Sequence, residues 1–160
     1  MSTTSACLEA INTGEFIVQG YLGDLTDADL LHRPCPGANH INWQLGHLML
    51  SEQRMMEMAK PGSMPALPDG FEKRYGKETA SSDNASEFDT KETLLQLHAK
   101  QRAATLALLD QMTDADFAGE TGIDYAPTVQ SLFLMQSMHW LMHAGQWAVV
   151  RRQLGRAPLF

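Results

Sequence analysis

In the stretch His139-Trp140-Leu141-Met142-His143, two imidazoles stand four residues apart. On a helix that spacing puts them on one face, one turn above the other. So placed, they can share a metal ion or serve as hydrogen-bonded core histidines. Their neighbours Met138, Leu141, Met142 and Trp147 make the face apolar. Neutral imidazoles buried in such a face need partners, and a metal supplies them. Trp140 occupies the position of the glutamate in the HExxH of zinc proteases, so this helix brings no carboxylate base.

A third histidine, His47, lies within Trp43-Gln44-Leu45-Gly46-His47-Leu48. Taken alone, a histidine on an apolar stretch is more often a satisfied core residue than a ligand. Gly46 beside it costs about 1 kcal/mol of helix stability relative to alanine. Close helix packing or an approach to a site would be a reason to tolerate it, and Gly145 invites the same argument.

Four helices must position these residues. The first is expected from about Ser5 to Leu25, with Leu8, Ile11, Val18, Leu22 and Leu25 as its stripe. The second spans about His40 to Lys60, capped by Asn39 and stopped by Pro61-Gly62. The third spans about Thr90 to Met112, with Asp89 and Glu92 resembling a capping box. The fourth spans about Thr128 to Leu154, with Pro127 before it and Gly155 and Pro158 after it. No segment sustains period-two alternation, so no sheet is expected. The implied fold class is all-α, a four-helix bundle forming one domain over residues 1–160.

The run Leu22 to Leu30 resembles the run Leu109 to Phe117, and both contain Thr-Asp-Ala-Asp. Each closes one helix and precedes a histidine-bearing one. Read as a repeat, the pattern faces the second helix toward the fourth and makes the histidines converge. Read locally, it is only a good helix-stop and cap sequence. Between the second and third helices, a connector from about Pro61 to Phe88 is rich in proline, glycine and serine. Such loops are usually functional or disordered; a mobile surface loop is expected here ahead of a substrate lid.

Lys plus Arg total 12 and Asp plus Glu total 19, a net charge of −7. A nucleic-acid binder needs a basic surface to replace phosphate counterions, and here there are only short clusters such as Arg151-Arg152. The two cysteines, Cys7 and Cys35, form no CxxC and no disulfide framework. That points to a reducing, cytoplasmic setting. The N-terminal residues lack the basic and apolar regions of a signal peptide. No run approaches the roughly 18 apolar residues of a membrane span.

Trp43-xxx-His47 on one helix, with His139-xxx-His143-x-Gly145-Gln146 and Arg151-Arg152-Gln153-Leu154-Gly155 on a later one, resembles the DinB-like (damage-inducible, YfiT-related) metalloenzyme superfamily. The resemblance covers nearly the whole chain. It implies an up-down-down-up four-helix bundle and a divalent metal ion held by His47, His139 and His143. Nickel or zinc is the usual ion in such proteins, with iron or manganese also compatible. It further implies a homodimer and, in some relatives, transferase or hydrolase chemistry with low-molecular-weight thiols. The alternative is a non-catalytic dimerising helical module, acting in a stress response or binding a small ligand.

Three nitrogens leave a coordination position free, as catalytic rather than structural sites do. Gln44, Gln136 and Gln146 are placed to support the ligands, whereas Glu52 is poorly aligned with His47. His40 is a fourth ligand, a proton shuttle or, preferably, a surface cap. His98 reads as half-exposed or core, and His32 as loop surface. Cys7 reads as a small apolar residue, and Cys35 as a loop residue that could approach the site. The ten methionines read as core filling or a dimer face.

Overall fold

In the computed structural model, which describes residues 2–159, most of the chain is helical. The first long helix, α1 (Thr3–Leu22), begins where the Ser2 side chain accepts the Ser5 N–H. It ends three residues before the expected Leu25, which is nonetheless buried from the following loop. Leu8, counted in the stripe, is 40% exposed.

The two Thr-Asp-Ala-Asp runs fold alike. Thr26 opens the one-turn helix α2 (Asp27–Leu30) with a reciprocal capping box to Asp29. After α3 (Ile41–Ala59), α4 (Phe71–Arg74) and α5 (Lys91–Gln111), Thr113 opens α6 (Asp114–Phe117) with the same box to Asp116. Both the cap reading and the convergence required by the repeat hold, since the last long helix, α7 (Val129–Gln153), packs on α3.

Three local expectations need correction. His40, not Asn39, caps α3: its Nδ1 accepts the Trp43 N–H at 3.0 Å. Thr90, not Asp89, caps α5, and its side chain accepts the Thr93 N–H. A small antiparallel hairpin exists where no sheet was expected, with β1 (Glu120–Ile123) paired to β2 (Ala126–Thr128). Its strands are too short to display alternation, and the register shifts between Glu120 and Ile123.

The long helices meet as α1 on α7, α1 on α5, α3 on α5 and α3 on α7. Gly14 lets α1 approach α7, because a Cβ there would lie 2.6 Å from Ser137 Oγ. Further along, Arg151 donates to the Tyr21 carbonyl at 2.9 Å and pairs with Asp24. His98 of α5 meets Glu15 of α1, while Lys91 Nζ donates to the Leu22 and Leu25 carbonyls. Between α3 and α5, Asn42 donates to the Asp89 carbonyl and Thr105 to Glu52. Between α3 and α7, Gln44 meets His143 and Met55 meets Gln136.

Two apolar clusters form the core. One gathers Val18, Leu22, Ile41, Leu45, Leu94, Trp140 and Trp147. The other gathers Cys7, Ile11, Met55, Met56, Leu108, Leu132 and Phe133. On each long helix the residues between the two clusters include polar ones: Glu15, Glu52, His98, Arg102, Thr105, Gln136 and Ser137.

The connector is docked, contrary to the expectation of a mobile surface loop. Besides α4 it contains two 3-10 turns, Lys77–Thr79 and Ala85–Glu87. It contributes Phe71 and Tyr75 to the first cluster. Tyr75 lies flat on α3 at Gly46, where a Cβ would come within 2.1 Å of the ring. The Tyr75 hydroxyl accepts the Asp89 N–H at 3.0 Å, and Arg74 pairs with Asp89 at 2.6 Å. Gly46 is thus explained by packing of the connector's Tyr75, not by the helix packing expected. No similar reason applies to Gly145, where a Cβ would meet nothing within 4 Å.

Candidate metal centre

α3 and α7 bring His47, His139 and His143 together. One nitrogen from each ring lies within 4.8 Å of the other two, and these three residues form the group that could hold an ion among the described residues. The ring centroids are separated by 5.4 Å (His47–His139), 5.7 Å (His47–His143) and 5.0 Å (His139–His143). The helix spacing accounts for the last pair. The packing of α3 on α7 accounts for the other two.

Each ring is held by a different device. His47 stacks on Trp43, with centroids 5.1 Å apart and planes 9° from parallel. Trp43 is in turn fixed by its indole N–H, which donates to the Gly76 carbonyl of the connector at 3.0 Å. His139 Nδ1 lies 3.3 Å from the Ser51 hydroxyl. His143 Nδ1 lies 2.9 Å from Gln44 Oε1, in the buried interior of the α3–α7 contact.

The rings favour the neutral form. Burial, followed by the neighbouring His47, pulls His139 down from 6.5 to about 4. Burial, then His139 and His47, does the same to His143, again to about 4. Burial and the Arg54 charge lower His47. A neutral imidazole has a free lone pair on one nitrogen, which is the state a metal ligand requires.

Other sequence candidates fall elsewhere. His40 is a buried cap, not a surface one; it lies edge-on to Phe88 at 4.7 Å and outside the histidine group. Cys35 is exposed and also outside it. Gln136 turns away, donating to the Leu132 carbonyl at 2.8 Å. Gln146 supports the site indirectly, accepting from Gln44 Nε2 at 3.1 Å. Glu52 faces the opposite side of α3, where it binds Thr105 and Arg102. His98 is fully core, and His32 meets Gln153 at 3.0 Å.

Ser51 was missed in the sequence, although it lies four residues after His47 and so on the same helical face. The role of Gly76 carried no side-chain signal at all.

Of the Arg151-Arg152 cluster, Arg151 is buried against Asp24, and the nearby Arg156 pairs with Asp29 at 2.9 Å. Among the described residues no helix is long and apolar enough to cross a membrane. A family model described as the DinB superfamily matches residues 17–147, so the chain belongs to that superfamily. No curated protein matches the chain.

Proposed function

We propose, with membership of the DinB superfamily as the premise, that this protein binds one divalent metal ion through His47, His139 and His143. We further propose that it is a metal-dependent enzyme of the thiol-transferase or hydrolase type. The observation that carries the reading is the convergence of three nitrogens from two helices within 4.8 Å. The donor set fits such an ion: three imidazoles kept neutral by burial, all first-row ligands, with no carboxylate among them. Imidazole donors suit zinc, nickel, copper and iron alike; the superfamily resemblance favours nickel or zinc, with iron or manganese also compatible.

When bound, an ion with a free coordination position acts as a Lewis acid and lowers the pKa of a coordinated water or thiol. The chain's own residues orient the donors. Gln44 holds His143, Ser51 steadies His139, and Trp43 backs His47. Metal analysis of protein purified without an affinity tag should find close to one ion per chain. His47→Ala and His139→Ala should each lose it while keeping their helical circular dichroism. Full retention by both variants sinks the assignment.

The finer architecture belongs to the same reading. The pairings of Gly14 with Ser137, Glu15 with His98, Glu52 with Thr105, and Gln44 with His143 support an up-down-down-up four-helix bundle. The packing of α1 on α7 supports one domain over residues 1–160. Two free cysteines support a cytoplasmic setting.

A second reading, a non-catalytic dimerising module, draws on a specific feature of α7. Met138, Met142 and Val149 form an exposed apolar stripe on that helix. Such a stripe supports a homodimer under either reading. Sedimentation should give twice the chain mass, and Met142→Lys should shift it toward the monomer.

A further inference from the structure

We propose that Gln44 is a positioning residue that fixes the His143 tautomer and thereby selects Nε2 as the nitrogen offered to the metal. The inference deepens the metal reading and rests on it for the ligand role alone. Its chain of reasoning starts at Trp147, which is fully buried. An indole N–H can only donate. It donates to Gln44 Oε1 at 2.8 Å. The amide nitrogen of Gln44 donates to the Asn39 carbonyl at 2.6 Å and to Gln146 Oε1 at 3.1 Å.

These contacts over-determine the amide. Turning it over would set an NH2 against the indole N–H and an oxygen against the Asn39 carbonyl. With the oxygen so fixed, His143 Nδ1 faces an acceptor at 2.9 Å and must carry the proton. The lone pair of a neutral His143 then resides on Nε2. Partners that set the tautomer of a ligating histidine in this way typically govern metal affinity by about 10–100-fold.

The other two ligands lack this device. The Ser51 hydroxyl beside His139 can donate or accept, so it leaves that tautomer open. His47 is held by stacking on Trp43, which has no preference between nitrogens. Gln44 therefore supplies the one ring whose donor atom is set before any ion arrives. It also joins this ring to the start of α3 through the Asn39 carbonyl.

The test is 15N NMR of the histidine side chains in metal-free protein at neutral pH, followed by a competition titration with Zn2+. Wild type should show His143 protonated at Nδ1 and unprotonated at Nε2. Gln44→Met should give a mixture of tautomers and bind Zn2+ about 10–100-fold more weakly. Gln44→Glu keeps the acceptor, so it should keep the Nδ1–H tautomer and bind Zn2+ more tightly than Gln44→Met. If Gln44→Met fails to fold, the wild-type spectrum alone still decides which nitrogen of His143 carries the proton. A wild-type His143 protonated at Nε2 overturns the proposal. So does Gln44→Met with an unchanged tautomer and unchanged Zn2+ affinity. A wild type with the Nδ1–H tautomer and no Zn2+ binding leaves the tautomer lock standing and sinks the metal reading.

Discussion

Two groups of buried polar side chains lie among the same four long helices, and they are built on opposite principles. In the layer between the two apolar clusters, charges answer one another. Glu15 accepts from His98 at 2.9 Å and faces Arg102 at 3.5 Å. Arg102 also reaches Glu52 at 3.2 Å and lies over the Trp140 ring at 5.7 Å. At the α3–α7 site, three like groups point their nitrogens at each other. The first arrangement pairs its charges within the fold, although Glu52 Oε2, His98 Nδ1 and Arg102 Nε and Nη1 find no hydrogen-bond partner among the described residues. The second makes chemical sense with something added. Opposite charges paired within the protein serve the fold; on the metal reading proposed above, three like donors that converge with no opposite charge among them serve an ion.

The largest expected effect tests the second half of that contrast. His143→Ala should lower metal affinity by more than about 100-fold, since loss of a ligand exceeds the loss of a supporting partner. Its metal-free stability should change little compared with an equivalent cut in the charge layer. Isothermal titration and urea unfolding on one preparation give both numbers.

The next effect tests the first half. Arg102→Met leaves the Glu15 and Glu52 carboxylates without their guanidinium. Breaking such a buried pair costs about 3–5 kcal/mol, measured by urea unfolding of metal-free protein. The folded fraction should still bind metal with wild-type affinity. A loss of affinity as large as that of His143→Ala would merge the two regions and end the comparison.

Gly46→Ala sits on the border between site and connector. The added methyl would overlap the Tyr75 ring, and overpacking of this kind costs about 1–3 kcal/mol. Because Gly76 and Trp43 are positioned by the same connector, a moderate loss of metal affinity should accompany the loss of stability.

The two regions should also separate by pH. In the unfolded chain His139 and His143 titrate near 6.5, and in the folded metal-free chain near 4. Between those values the unfolded state holds more protons. Stability is therefore full above about 6.5, falls as the pH drops toward 4, and levels off below. Burial, then the Arg33 charge, lowers His40 to about 4 as well, so it adds to this window. Glu15 behaves differently. Burial alone would raise it, but the hydrogen bond and charge of His98, with help from Gln19 and Arg102, bring it from 4.5 down to about 2. Its contribution is lost between about 4.5 and 2. Denaturation curves from pH 7 to 2 should show both windows, with Glu15→Gln flattening only the lower one.

The smallest effect is a control. Arg54 and Glu72 form an ion pair on the surface, and Arg54→Ala should change stability by less than about 0.5 kcal/mol.

How much of this was legible in the sequence follows from the range of each interaction. His139 and His143 were legible because helix periodicity is local. The Thr-Asp-Ala-Asp caps were legible for the same reason. Helix ends were misplaced by one to three residues, most at α1, which runs from Thr3 to Leu22 and not from Ser5 to Leu25. The hairpin at β1 and β2 was too short to show a period. Gln44 stood out at helical spacing from His47, yet its partners are His143 and Trp147 on another helix. The charge layer was illegible because Glu15, Glu52 and Arg102 come from three helices and carry no common spacing. Tyr75 on Gly46 likewise depends on how the connector folds back.

X-ray absorption of the metal-loaded protein addresses the central claim most directly. With zinc, the first shell should contain three imidazole nitrogens at about 2.0–2.1 Å and one further light ligand, and His47→Ala should remove that pattern. A shell containing sulfur, or one unchanged in His47→Ala, would contradict the assignment of His47, His139 and His143 as the ligands.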